Sequence, residues 1–325
     1  MPTALGRGHC GGHITLFFTI EDMLSDPVAQ GSRGAGICLK DGVEAIAKGE
    51  DGEGKIIVRF QDGDYTSAMY DDVLEELVGE VPEIGLFDWE LNIRMALPAS
   101  QGFGMSASGA IASAISFQRA IGIPHEECIR RAFLIAHIVE RKRSSGLGDT
   151  TALSSGGVER RISAGSPFSG DFLDRGPGVA EGWATETPVL LVWNAKTGKH
   201  TSKYIDNPDW RAKISDAGSS SMEIIGEGDW DSRRWSELID QSLIFANDSG
   251  LEFDASRSEI IVAANGAIRD SGFSESLSAM LCMLGESVVI VPNDSLDEGE
   301  WLGELSSVLE ERGFFTFSSR VGSLR

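Results

Sequence analysis

Apolar residues change their spacing along this chain, and the changes mark out elements. Between Trp89 and Leu97 they alternate (Leu91, Ile93, Met95, Leu97), the period of a strand with one buried face, and the pattern stops at Pro98. A loop of small residues follows, QGFGMSAS, after which Ala110, Ile111, Ala114, Ile115 and Phe117 recur at helical spacing as far as Gly122. Pro124 opens a second helix to about Arg143, ended by Gly146. The same reading predicts strands at 14–20, 56–60 and 189–193, a hairpin about Asp41-Gly42 and a short helix over 73–78. Further along it predicts helices over 214–225, 235–247, 258–270 and 301–312. A hairpin of 279–284 and 287–291 turns at Gly285, and a last strand covers 314–317. A shift in composition after Pro167, into a glycine-rich stretch, divides the chain at 166/167, and the alternation beyond it has the form of an α+β sandwich.

The strand, glycine loop and helix around residue 104 form the stretch richest in chemistry. Gly102 and Gly104 let the backbone bend, and Ser106 and Ser108 stand where the helix begins, so hydroxyls and the free N–H groups of a first turn converge. That convergence, with the positive end of the helix dipole, suits an anion such as a phosphate. Glycines and serines before a helix also serve as plain turn and cap residues, so this stretch needs support from elsewhere.

Two segments supply it. On the second helix Ile129, Phe133, Ala136 and Glu140 share one face, which puts a carboxylate in line with an apolar stripe. A carboxylate so placed needs a cation: a metal, or one of the neighbouring Arg141, Lys142 and Arg143. Further on, Asp149 stands between glycines and hydroxyls in GLGDTT, either capping a short helix or held near a ligand. Two acids and two hydroxyl residues beside a phosphate cradle are the components of a magnesium-dependent phosphoryl transferase. Arg33, flanked by glycines, is placed to reach an anionic ligand, whereas His137 reads as a structural or surface histidine. Gly6-x-Gly8-x-x-Gly11 matches a dinucleotide fingerprint in form alone, lacking the strand before it and the helix after it, and GEDGEGK at 49–55 reads as an acidic turn.

Composition narrows the choice. The 325 residues are 41% hydrophobic and 24% charged, as in an ordinary globular protein with room for two domains. No apolar run approaches the roughly 18 residues that span a bilayer, and no basic, then apolar, leader opens the chain, so a cytoplasmic protein is expected. Four scattered cysteines signal neither disulfides nor zinc and are expected to be reduced and mostly buried. The net charge of −22 argues against nucleic acid or anionic membranes as partners, and it requires local positive charge or a metal wherever a nucleotide binds.

PASQGFGMSASGA at 98–110 resembles the second motif of the GHMP kinase superfamily. With GHITLFF at 12–18, DPVAQGSRGAGI at 26–37, GLGDTTALSSGGVERR at 146–161 and AMLCMLGESVVIV at 279–291, the pattern is similar to its archaeal pantoate kinase branch. The resemblance implies an α+β, two-domain fold: an N-terminal ATP-binding domain at 1–166 and a ferredoxin-like α/β sandwich at 167–325. It implies transfer of the γ-phosphoryl group of ATP to the 4-hydroxyl of pantoate, with Mg2+, and is compatible with a homodimer. On the matching positions, Gly102, Phe103, Gly104, Met105, Ser106, Ala107 and Ser108 would hold the ATP phosphates. Ser106 and Glu140 would bind magnesium, and Asp149 would orient or deprotonate the attacking hydroxyl. His13, Thr15, Ser32, Arg33 and Arg161 would face the substrate, the two arginines being candidates for its carboxylate. Relatives often carry Lys where His13 falls, so His13 would neutralise transferred charge or bind substrate. The competing readings are a kinase of the same superfamily for homoserine, mevalonate or a sugar, and a catalytically inactive nucleotide-binding protein.

Overall fold

A computed structural model describes residues 4–63, 65–194 and 207–322. The first half builds one mixed sheet. Strand β1 (Ala4–Phe18) runs antiparallel to β2 (Gly34–Asp51) along almost its full length, from Ala4 opposite Gly49 to Phe18 opposite Gly34. β3 (Ile56–Phe60) lies parallel to β4 (Phe87–Met95), and β4 pairs antiparallel with β2. Helix α1 (Ala68–Glu80) sits in the connection between β3 and β4. Helices α2 (Met105–Ala120), α3 (His125–Lys142) and α4 (Asp149–Ser155) follow, and β5 (Val158–Ser163) returns to the sheet beside the start of β2.

The expected hairpin about Asp41-Gly42 is a correction: these residues sit inside the single long strand β2. A Cβ at Gly42 would lie 2.1 Å from the Cys10 carbonyl oxygen, and one at Gly11 would lie 2.0 Å from that of Leu39. The glycines therefore permit a close crossing of two bent strands rather than a reversal. The N-terminal glycines have a related use. Added Cβ atoms at Gly6 and Gly8 would meet the Ser116 and Ala112 carbonyls at 2.0 and 1.9 Å, so these positions let α2 press directly onto β1. From Ala107 to Gln118 α2 is buried on every side, which explains its Ala, Ser and Gly content. Phe117 meets Trp89 of β4 edge-on at 5.1 Å.

After β5 a small hairpin, β6 (Phe168–Ser169) with β7 (Asp174–Arg175), precedes β8 (Val179–Trp183), which pairs with β5. The chain thus leaves the first sheet at Trp183, seventeen residues beyond 166. The second half is a four-stranded antiparallel sheet in the order β10, β11, β9, β12 (β9 Pro188–Trp193, β10 Leu277–Leu281, β11 Ser287–Pro292, β12 Phe315–Arg320). Helices α5 (Pro208–Ile225), α6 (Trp235–Asp248), α7 (Ala255–Asp270) and α8 (Leu302–Glu311) complete the α+β sandwich, with the apolar β9 and β11 at its centre. The turn between β10 and β11 braces the glycine loop and β1: Ser287 Oγ donates to the Gln101 carbonyl, a Cβ at Gly285 would strike Gln101 O, and Met283 N donates to Thr15 O of β1 at 3.1 Å.

Candidate active site

The glycine loop, the end of β1 and the segment after α3 enclose a cavity of about 370 Å³. Gly104 takes a left-handed conformation (φ 67°) immediately before α2, and a Cβ there would lie 3.0 Å from the His13 backbone, so a side chain would be both strained and crowded. Gly102, Phe103, Gly104, Met105 and Ser106 line the cavity, beside the first-turn N–H groups of α2. Ala107 is buried and does not line it. Ser108 is a correction as well. Its hydroxyl lies 2.6 Å from the Gly11 carbonyl and 2.9 Å from that of Gly104, and its N–H donates to Gly104 O. It locks the loop to β1 instead of facing a phosphate.

Glu140 is buried, and its Oε1 accepts a hydrogen bond from Ser145 Oγ at 2.8 Å; Ser106 also donates to the carboxylate. Glu140 Oε2 is buried without a hydrogen-bond partner. Burial first, and the nearby Asp149 carboxylate second, push its pKa up to about 7. Lys142 and Arg143 pair elsewhere, with Glu76 and Asp72, and Arg141 donates to the Gly146 carbonyl and to Gln30. A Cβ at Gly146 would lie 2.0 Å from Glu140 Oε2 and 3.0 Å from Asp149 Oδ2, so this glycine makes room for two converging carboxylates.

Asp149 begins α4 but does not cap it. Its Oδ1 instead meets His13 Nδ1 at 2.6 Å, and the opposite nitrogen, Nε2, lies 3.0 Å from Glu159 Oε1. Glu159 in turn accepts from Arg161 Nη1 at 2.7 Å. His13, Glu159 and Arg161 have no exposed surface, while 22% of the Asp149 side chain is exposed toward the cavity it lines. Burial pushes the Asp149 pKa up, but the hydrogen bond and charge of His13, helped by Arg161, outweigh it and hold the carboxylate below its ordinary value. Burial opposes the charge on His13, yet its two carboxylate partners raise its pKa. His13 was expected to neutralise transferred charge or touch substrate. The structure corrects the second: both ring nitrogens are spent on carboxylates, behind the cavity wall.

Thr15 and Ser32 line the cavity. Arg33 does not; its Nε pairs with Glu21 at 2.6 Å on a part-exposed loop. Arg161 is better placed. A Cβ at Gly148 would lie 2.3 Å from Ser32 Oγ and 2.8 Å from Arg161 Nε, so the guanidinium lies directly behind two cavity-lining residues, with Nε and Nη2 buried and lacking hydrogen-bond partners. His137 is structural: Nδ1 lies 2.9 Å from Thr150 Oγ1 and Nε2 approaches the Pro27 and Gln30 carbonyls.

Sequence reasoning missed Glu159 and the apolar half of the cavity, walled by Phe60, Tyr65, Met69, Tyr70 and Met95. The signal for Glu159 is its position two residues before Arg161 on one strand, which puts both on the same face. The apolar wall gathers residues from β3, α1 and β4 and left no local pattern. All four cysteines are free and buried, as expected. Among the described residues no helix is long and apolar enough to cross a membrane.

A glycine-serine loop on a helix N-terminus, facing two carboxylates on a two-domain α+β scaffold, is the arrangement of a small-molecule phosphotransferase. Residues 65–157 match the family described as GHMP kinases N terminal domain. The chain is similar to the pantoate kinase of Thermococcus kodakarensis, 32% identical over 227 residues, covering 67% of this chain and 68% of that one. It is also 32% identical to the pantoate kinase of Methanospirillum hungatei over 169 residues, half of this chain and 54% of the relative. A solved structure described as a phosphotransferase related to the CoA biosynthesis pathway superimposes with a TM-score of 0.76 at 25% identity, over 99% of this chain and 97% of its own. The chain belongs to the pantoate kinase family of the GHMP kinases.

Proposed function

We propose that this protein is a pantoate kinase, using ATP to convert (R)-pantoate into (R)-4-phosphopantoate on the route to coenzyme A. The observation that carries the reading is the meeting of Glu140 and Asp149 about Gly146, beside the open first turn of α2. The N–H groups of that turn receive the phosphates, and the apolar half of the cavity takes the base. The buried, unpartnered Glu140 Oε2 and the Ser106 hydroxyl fit a magnesium ion. Among the described residues no cluster of three or more His, Cys, Asp or Glu could hold a metal, so most of the coordination falls to phosphate and water. When bound, the ion neutralises charge on the transferring phosphoryl group.

Asp149 is the proton acceptor. The 4-hydroxyl oxygen of pantoate forms the new bond to the γ-phosphorus as the bond to the ADP oxygen breaks, and the hydroxyl proton passes to Asp149. His13 holds one carboxylate oxygen in place, leaving Oδ2 beside Gly146 for the substrate. Ser32 and Arg161 bind the pantoate carboxylate, Arg161 through the nitrogens that lack protein partners. Because the transition state is loose, positioning and charge neutralisation supply most of the catalysis. Reduced thiols and the use of ATP suit the cytoplasm. The test is magnesium-dependent ADP release from the purified protein with pantoate, homoserine, mevalonate and galactose. Release confined to pantoate supports the reading; release with another alcohol moves the protein to another branch of the superfamily.

A further inference from the structure

The charge lining the cavity is sparse. Among the described residues that line it, Asp149 is the one acid and Arg143 the one base, in a chain whose net charge is −22. A nucleotide triphosphate entering such a site needs more positive charge than the N–H groups of one helix turn supply. Arg161, paired with Glu159 behind the wall, is assigned to the pantoate carboxylate, and Lys142 lies outside the lining.

Arg143 lines the cavity that holds the glycine loop. It is the C-cap of α3, three residues beyond Glu140, and the next residue, Ser144, takes a left-handed conformation (φ 51°) that turns the chain back toward Ser145 and its hydrogen bond to Glu140. Its guanidinium pairs with Asp72 of α1, the helix whose Met69 and Tyr70 wall the apolar half of the cavity. Both partners are part-exposed, 31% for the Arg143 side chain and 39% for Asp72, so the pair contributes little and its exchange costs little. A second ion pair, Lys142 with Glu76, joins α1 and α3 independently.

We propose that Arg143 is a phosphate-binding residue for the nucleotide, paired with Asp72 until ATP enters and then turned to the phosphate chain. The inference rests on the kinase reading of the cavity. A guanidinium fork can take two phosphate oxygens at once, and Asp72 remains solvated after the exchange. The position on the α1 side of the cavity assigns Arg143 to nucleotide rather than to the hydroxy acid.

Isothermal titration calorimetry of the full chain with ATP and with adenosine tests this on the wild type and on Arg143→Ala, Arg143→Lys and Asp72→Asn, alongside KM for pantoate and thermal midpoints. Arg143→Ala is expected to weaken ATP binding by at least about tenfold, the scale of a charge-assisted hydrogen bond, with adenosine binding and KM for pantoate unchanged. Arg143→Lys recovers part of the loss, and Asp72→Asn tightens ATP binding by removing the competing partner. Unchanged ATP binding in Arg143→Ala overturns the inference. So does an Asp72→Asn variant as weak as Arg143→Ala, which is the pattern of a structural brace between α1 and α3. A wild type that binds no ATP overturns the kinase reading itself.

Discussion

His13 Nδ1 lies 2.6 Å from Asp149 Oδ1, within a buried row of charges that continues through Glu159 to Arg161. The row gives Asp149 a fixed orientation and a low pKa while a fifth of its side chain stays open to the cavity. Asp149→Asn keeps the shape and removes the proposed proton acceptor. Turnover should fall by at least about a hundredfold with ATP affinity nearly unchanged. Steady-state kinetics and calorimetry check this, and near-normal turnover would remove Asp149 from the chemistry.

His13→Gln should lower kcat with little change in either KM, and should move the acid limb of the pH–rate profile upward because Asp149 loses its cationic neighbour. His13→Lys should restore much of the rate. A stability effect of known sign goes with this. Since the folded pKa of His13 is raised above 6.5, its contribution is full below that pH and is lost as pH rises through the folded value. Denaturation of the wild type and the Gln variant should therefore converge at alkaline pH.

His137 has the opposite sign. Burial, the largest influence, pushes its pKa down from 6.5 to about 4, so the neutral ring stabilises the fold above pH 6.5 and the contribution is lost as pH falls toward 4. The loss should approach about 3 kcal/mol. Urea titrations of the wild type and His137→Gln at neutral and acid pH measure it; an equally steep acid limb in the variant would assign the loss elsewhere.

Gly146 leaves room beside it for Glu140 Oε2 and Asp149 Oδ2. A methyl group there would displace Glu140 Oε2, so Gly146→Ala should raise the magnesium concentration needed for half activity by roughly tenfold, the scale seen when groups supporting a metal ligand are altered. Unchanged magnesium dependence would show that Glu140 is not a ligand.

The two arginines separate by burial. Arg161→Lys should raise KM for pantoate strongly with little effect on that for ATP, whereas Arg33→Ala, which removes only a part-exposed pair with Glu21, should leave both nearly unchanged. Substrate kinetics on both variants decide between them.

Much of this was legible in the chain because the relevant signals are local. The glycine loop before α2, the apolar stripe leading to Glu140 and the paired glycines around Asp149 each lie within one or two turns of backbone. What stayed hidden depends on contacts distant in sequence. Gly42 looks the same whether it turns a hairpin or lets Cys10 approach, and only the pairing of β1 with β2 decides. His13 and Asp149 are 136 residues apart, and nothing near His13 tells that both its nitrogens meet acids. The glycines around Arg33 suit an anion site, but Glu21, twelve residues away, holds its guanidinium.

The central claim, that ATP phosphorylates the 4-hydroxyl of pantoate in this cavity, is tested most directly by following the reaction by phosphorus NMR with proton coupling. The account predicts one new phosphate ester for each ADP formed, its signal split by the two protons of the adjacent methylene group. A phosphate on the secondary hydroxyl, or ADP formed with inorganic phosphate alone, would contradict it.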